Sequence, residues 1–143
     1  MTSNTRIIEA SQDKVWEVLA DGWLYPLWVV GATRMREVDD GWPAVGTKLH
    51  HSAGVWPLVL DDNTEVLDVQ PGQSLRLRAR GWPMGEAEVL ITLTPEGSAT
   101  RVELAEDAVG GPGTLVPAPL RGAMIKWRNV EALDRLAHVA EGR

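Results

Sequence analysis

Apolar residues recur at two different periods along this chain. From Thr33 to Ala108 they alternate with polar ones in short runs separated by turn residues, the pattern of antiparallel strands. Ser74 to Arg80 is the clearest run, with Leu75, Leu77 and Ala79 set against Arg76, Arg78 and Arg80. Glu86 to Thr94 repeats it, with Ala87, Val89, Ile91 and Leu93 on one face. From Pro117 to Arg143 the spacing becomes three and four. Leu120, Ala123, Met124, Trp127, Val130, Leu133, Ala137 and Ala140 then form one helical stripe. Pro117 and Pro119 suit a first turn, and Gly142 a stop. Such a helix spans roughly 35 Å. Its stripe predicts a buried Trp127 and makes this helix the main stabilising element.

The remaining elements follow from the same reading. Strands are expected at Thr5–Ala10, Thr33–Val38, Gly46–Ala53, Leu58–Val69, Ser74–Arg80, Glu86–Thr94 and Ala99–Ala108, with a bulge near Asp61–Asn63. Ser11 is a good N-cap and Asp13 suits a first turn, so a short helix should bury Val15, Val18 and Leu19. The apolar run Trp23–Val30, interrupted by Pro26, reads as a second brief helix or a connector capping the core. Gln70-Pro71-Gly72-Gln73 fits a type II turn.

The order is strand, two short helices, six strands and a long C-terminal helix. At this point the chain resembles the START-like (SRPBCC) superfamily, the helix-grip fold of birch-pollen-type allergens, and within it bacterial polyketide cyclase/dehydrase-like proteins. The likeness lies in Ser11–Trp16 (SQDKVW), Trp28, Gly46-Thr47, Val69–Leu75 (VQPGQSL) and Trp127–Leu136 (WRNVEALDRL). It implies an α+β fold in which a curved seven-stranded antiparallel sheet and two short helices wrap the long helix around an apolar cavity. It implies one domain over residues 1–143. It transfers no catalytic residue, since one fold hosts unrelated functions.

Composition narrows the partners. The 143 residues carry a formal charge of −6 and no basic stripe, which excludes nucleic acid as the expected partner. No signal-peptide layout or membrane-length apolar run is present, so a cytoplasmic protein without integral membrane association is expected. The absence of Cys removes thiolate nucleophiles and Cys-type zinc sites, and no cofactor is called for. Seven Trp with one Tyr and no Phe suit core edges and wide pockets.

Few residues carry chemistry. His50 and His51 are neighbours on a strand, point to opposite faces and cannot chelate one ion, so no metal site is expected. If Leu49 faces inward so does His51, which then either meets a ligand carbonyl or is simply hydrogen-bonded at the cavity wall. Tyr25 and Trp28 either line the pocket floor or make core contacts. Asp61-Asp62 reads as bulge composition, the Arg76–Arg80 row as a solvated face paired with Glu86 and Glu88, and Gly110–Gly113 as a hinge without phosphate-loop spacing. His51 and Tyr25 are the acid/base candidates.

Counting strand reversals places the 55–57 and 81–84 loops at one end of the sheet, beside the start of the long helix. Trp56, Trp82 and Met84 are therefore expected at a cavity mouth with Leu115 and Leu120. Trp28, His51, Met124 and Trp127 complete the expected contacts. The expected function is binding of a small hydrophobic molecule, lipid or polyketide-like, with polyketide cyclase or dehydratase chemistry as an extension. A carrier or sensor without chemistry is the alternative, as is a protein-interaction module like the heat-shock-protein-90 activators of this fold. Oligomeric state is left open.

Overall fold

The computed structural model describes residues 1–30, 32–53, 60–81 and 85–142. The chain runs β1 (Thr2–Ile8), α1 (Gln12–Ala20), a 3-10 turn (Gly22–Leu24), α2 (Tyr25–Trp28), β2 (Ala32–Val38) and β3 (Lys48–Ala53). It continues through β4 (Leu60–Gln70), β5 (Ser74–Gly81), β6 (Gly85–Glu96), β7 (Ala99–Gly110), a second 3-10 turn (Pro112–Leu115) and α3 (Ala118–Glu141). The strands form one antiparallel sheet in the order β1-β7-β6-β5-β4-β3-β2.

Local chemistry explains the starts and stops. The Ser11 side chain accepts the Lys14 backbone N–H at 3.3 Å, capping α1, whose Val15, Val18 and Leu19 are buried. Pro117 precedes α3 and Pro119 sits in its first turn, where no intrahelical N–H partner is lost. Register shifts at Ala32/Arg34 and Met35/Glu37 in β2, at Val66/Asp68 in β4 and at Val109 in β7, opposite Glu86/Ala87, bend the sheet around α3. The bulge expected at Asp61–Asn63 is absent. Those residues pair in unbroken register with His50–Ser52, and β4 instead slips further along, at Val66/Asp68.

The molecule is solid at one end and hollow at the other. Under the C-terminal half of α3, Leu133, Leu136, Ala137 and Ala140 pack on Ile8, Val15, Leu49, Leu75, Ile91 and Val102. Burial of this kind contributes roughly 25 cal/mol per Å² of apolar surface. The N-terminal half behaves differently. Leu120, Met124, Trp127 and Val130 are exposed, Trp127 by 75%. The stripe read from the sequence is therefore rotated over these turns: the inward positions are Ile125, Asn129 and Ala132. Trp127 is not a buried anchor of the helix.

The hollow arises from side-chain size. Across β5, β6 and β7 the register sets Leu75, Ile91 and Leu104 in one row, Leu77, Val89 and Glu106 in the next, and Ala79, Ala87 and Ala108 in the last. Bulk shrinks toward the end of the sheet that carries Gly81, Gly85 and Gly110. The helix above cannot collapse onto a floor of alanines, so space remains.

Candidate functional site in the sheet–helix cavity

That space is a cavity of about 730 Å³, open at the alanine end. Its floor is the two smaller rows of β5–β7 together with Leu104, its roof Ile125, Asn129 and Ala132 of α3, and its inner wall Tyr25, Trp28, His51 and Thr64. Met124 and Trp127 line it while staying more than half exposed, which places them at the rim. Leu115 and Leu120 are exposed and do not line it, contrary to their expected place at the mouth. Leu115 ends the second 3-10 turn and Leu120 lies in the first turn of α3, both on the solvent side. The expected contacts Trp56, Trp82 and Met84 lie outside the described residues. The strand ends that carry their loops are at the open end: Ala53 pairs Leu60, Gly81 pairs Gly85, and Gly110 pairs Glu86.

One connected polar group sits on the inner wall. Leu49 and His51 are buried on β3, while His50 points to the other face and bonds Asp39 at 2.7 Å. His51 Nε2 lies 2.9 Å from the Thr64 hydroxyl oxygen, and the Tyr25 hydroxyl lies 3.1 Å from the same oxygen. Trp28 meets Tyr25 edge-on, with centroids 5.5 Å apart. Short α2 supplies both aromatic rings, with Pro26 fixing its first turn.

Electrostatics set the protonation states. Burial pushes the Tyr25 hydroxyl up to about 12, partly offset by its bond to Thr64. The phenol is therefore protonated at neutral pH. Burial also lowers the His51 imidazole below its ordinary value, against the opposing pull of the Asp62 carboxylate, so the neutral ring is favoured. A phenol is the strongest donor of the group and an imidazole nitrogen the strongest acceptor. The favoured direction is thus Tyr25 O–H to Thr64, and Thr64 O–H to His51 Nε2, which puts the ring proton on Nδ1. His51 Nδ1 is buried and has no hydrogen-bond partner. The Ser52 backbone favours the protonated ring without completing a bond to Nδ1.

The roof holds a second polar set. Arg128 pairs with the buried carboxylate of Glu106, which lies in the middle row of the floor. Arg121 bonds Asp107 at 3.0 Å and the Val116 carbonyl at 2.9 Å, tying the start of α3 to β7 and the segment between them. Asn129 is 2% exposed and its Nδ2 has no partner. Sequence reasoning passed over Thr64, Glu106, Arg128 and Asn129. The available signal was the spacing Ile125, Asn129, Ala132, Leu136, which Asn129 interrupts. Among the described residues no group of three or more His, Asp or Glu is placed to hold a metal, and no helix is long and apolar enough to cross a membrane.

A curved antiparallel sheet gripping a long C-terminal helix over an apolar cavity is the architecture of a START-like, or SRPBCC, protein. The chain belongs to the polyketide cyclase/dehydrase and lipid transport family, whose model matches residues 2–141. No curated protein sequence matches it. Among solved structures it is similar to protein NE0264 from Nitrosomonas europaea, at 17% identity and a TM-score of 0.74 over 98% of this chain and 93% of that one. It is similar to Zhui aromatase/cyclase from Streptomyces sp. R1128, at 18% identity and a TM-score of 0.71 over 97% and 92%. Ara h 8.0201 gives 10% identity and a TM-score of 0.74 over 99% and 97%. At these identities the structural likeness speaks for the fold.

Proposed function

We propose that this protein binds a small hydrophobic molecule in the cavity between the sheet and the N-terminal half of α3. The observation that carries the reading is the graded floor, in which Ala79, Ala87 and Ala108 hold open a space of about 730 Å³. That volume falls within the usual range of small-molecule sites, roughly 300–1,000 Å³. An apolar cavity left dry or loosely hydrated forfeits packing, and an apolar guest restores it. Nile red, a neutral fluorescent dye, tests this. The wild-type protein should bind it with a blue-shifted emission. Ala87→Leu, which fills the floor, should weaken binding while leaving the urea midpoint unchanged or higher. Equal binding by both proteins would place the dye elsewhere and overturn the reading.

A catalytic extension rests on a separate observation, the Tyr25–Thr64–His51 chain at the inner wall. In a cyclase or dehydratase the cavity would fold a reactive chain, and Tyr25 or His51 would move one proton at a carbonyl or hydroxyl. Tyr25→Phe and His51→Gln should then lower turnover of a poly-ketone substrate without changing Nile red affinity. A carrier would show no turnover to lose.

A further inference from the structure

We propose that a second copy of this chain docks on the outward face of the first half of α3, the two helices lying antiparallel about a two-fold axis between Met124 and Trp127. This goes beyond ligand binding and stands whether or not the cavity takes a guest.

The argument begins from a face that folding leaves unused. Leu120, Ala123, Met124, Trp127 and Val130 recur every three or four residues on the side of α3 turned away from buried Ile125, Asn129 and Ala132. All five are exposed. A Trp side chain alone offers about 150–250 Å². Together the five leave on the order of 500 Å² of apolar surface in water, the upper end of what a monomer ordinarily exposes in one patch. Leu120 and Val130 do not line the cavity, so a guest inside it leaves the stripe uncovered.

Three features select a second copy as the occupant. The outer face of α3 changes character along its length: apolar as far as Val130, then charged, with Glu131, Asp134 and Glu141 on the same side. In an antiparallel pair each apolar half covers the other, and Met124 meets Trp127 of the second copy. The start of α3 has neither a side-chain cap nor an acidic residue in its first turn. A helix start attracts negative charge, and the two-fold axis brings Glu131 and Asp134 of each copy to the start of the other α3. Burying both stripes removes about 1,000 Å² in total, the area that a specific interface needs. A lipid surface fits less well, because the same face carries those acids and the chain's charge of −6 opposes anionic headgroups. An interface of this size is transient, with a Kd of about 10–100 µM, so the protein is monomeric at the dilution of a fluorescence melt.

Sedimentation velocity on the full chain tests this. Wild-type protein should pass from monomer at about 1 µM to mostly dimer at about 500 µM. Trp127→Glu, at a position already exposed, should stay monomeric throughout that range. Trp23→Glu alters another exposed Trp away from this face and should dimerise like wild type. The chain has no Cys, so His138→Cys supplies a single site for a nitroxide label. Antiparallel helices should hold the two labels roughly 40 Å apart along the helix axis. Wild-type protein that stays monomeric at the highest concentration would overturn the proposal. So would a dimer that survives Trp127→Glu or is lost equally in Trp23→Glu, and so would labels closer than about 20 Å. Flotation of wild-type protein with phosphatidylcholine vesicles, lost in Trp127→Glu, would assign the patch to a membrane and overturn the proposal as well. The wild-type and label measurements decide the matter even if Trp127→Glu fails to fold.

Discussion

Tyr25 stacks on His51 with ring centroids 5.5 Å apart and planes 28° apart, and both rings bond the same Thr64 hydroxyl. The hydroxyl is therefore shared by two buried polar rings. Thr64→Val keeps the shape and removes the sharing, leaving the phenol and Nε2 unpaired in a largely apolar wall. The cost should be about 1–3 kcal/mol in urea unfolding. A change within experimental error would mean that water or a ligand, not Thr64, satisfies these groups.

Tyr25 is the only tyrosine in the chain, so its ionisation can be followed without labelling. Absorbance near the phenolate band should titrate with a midpoint of about 12 in the folded protein. The unfolded chain loses this proton near the ordinary value of about 10. Between the two values the unfolded state holds fewer protons, so stability should fall as pH rises through that window. Tyr25→Phe should flatten the alkaline limb of a pH–stability curve. A midpoint near the ordinary value would place the hydroxyl in water.

His51 works in the opposite direction. Its folded value is depressed by burial, so below about 6.5 the unfolded chain takes up a proton that the folded protein resists. Stability should rise with pH up to that ordinary value and then level off. His51→Gln should remove this slope. A slope unchanged in His51→Gln would assign it to another group.

The two halves of α3 should respond unequally to truncation. Leu136 is fully buried, and Leu136→Ala should cost about 2–5 kcal/mol. Trp127 is 75% exposed, and Trp127→Ala should cost less than about 1 kcal/mol while loosening a bound dye at the rim. Similar stability losses in urea melts would contradict the solid and hollow division of the helix.

The fold was legible because each strand carries its own period and turn. Leu75, Leu77 and Ala79 against three arginines leave little choice of face, and Ser11 with Asp13 marks a helix start. The cavity-facing half of α3 was not legible from periodicity. Two apolar stripes compete there: Leu120, Met124 and Trp127 on one, Ile125 and Ala132 on the other. The second is interrupted by Asn129, so counting apolar residues selects the first. Tertiary packing selects the second, because a polar residue fits inward where the floor is hollow. The hollow itself stood in the sequence as diminishing size, Leu75 to Ala79 and Ile91 to Ala87. It acquires meaning only when the register sets those residues side by side. Thr64 and Glu106 come from strands distant in sequence, and no local pattern joins them to Tyr25 or Arg128.

The slipped register of β2 has a consequence for how copies of this protein meet. The sheet is open, with β1 and β2 at its margins. A straight margin is a template on which another chain can add a strand. Alongside β1 runs α3, joined to it by the pair Arg6–Asp134 and by the Glu9 N–H on Glu141 at 2.9 Å. On β2 the two shifts break the ladder, and the exposed Arg34, Arg36 and Glu37 place charge along it. A protein that keeps a hollow beside its core has less packing to hold its sheet shut. Irregular, charged margins deny a second copy the straight template that such a sheet would otherwise present.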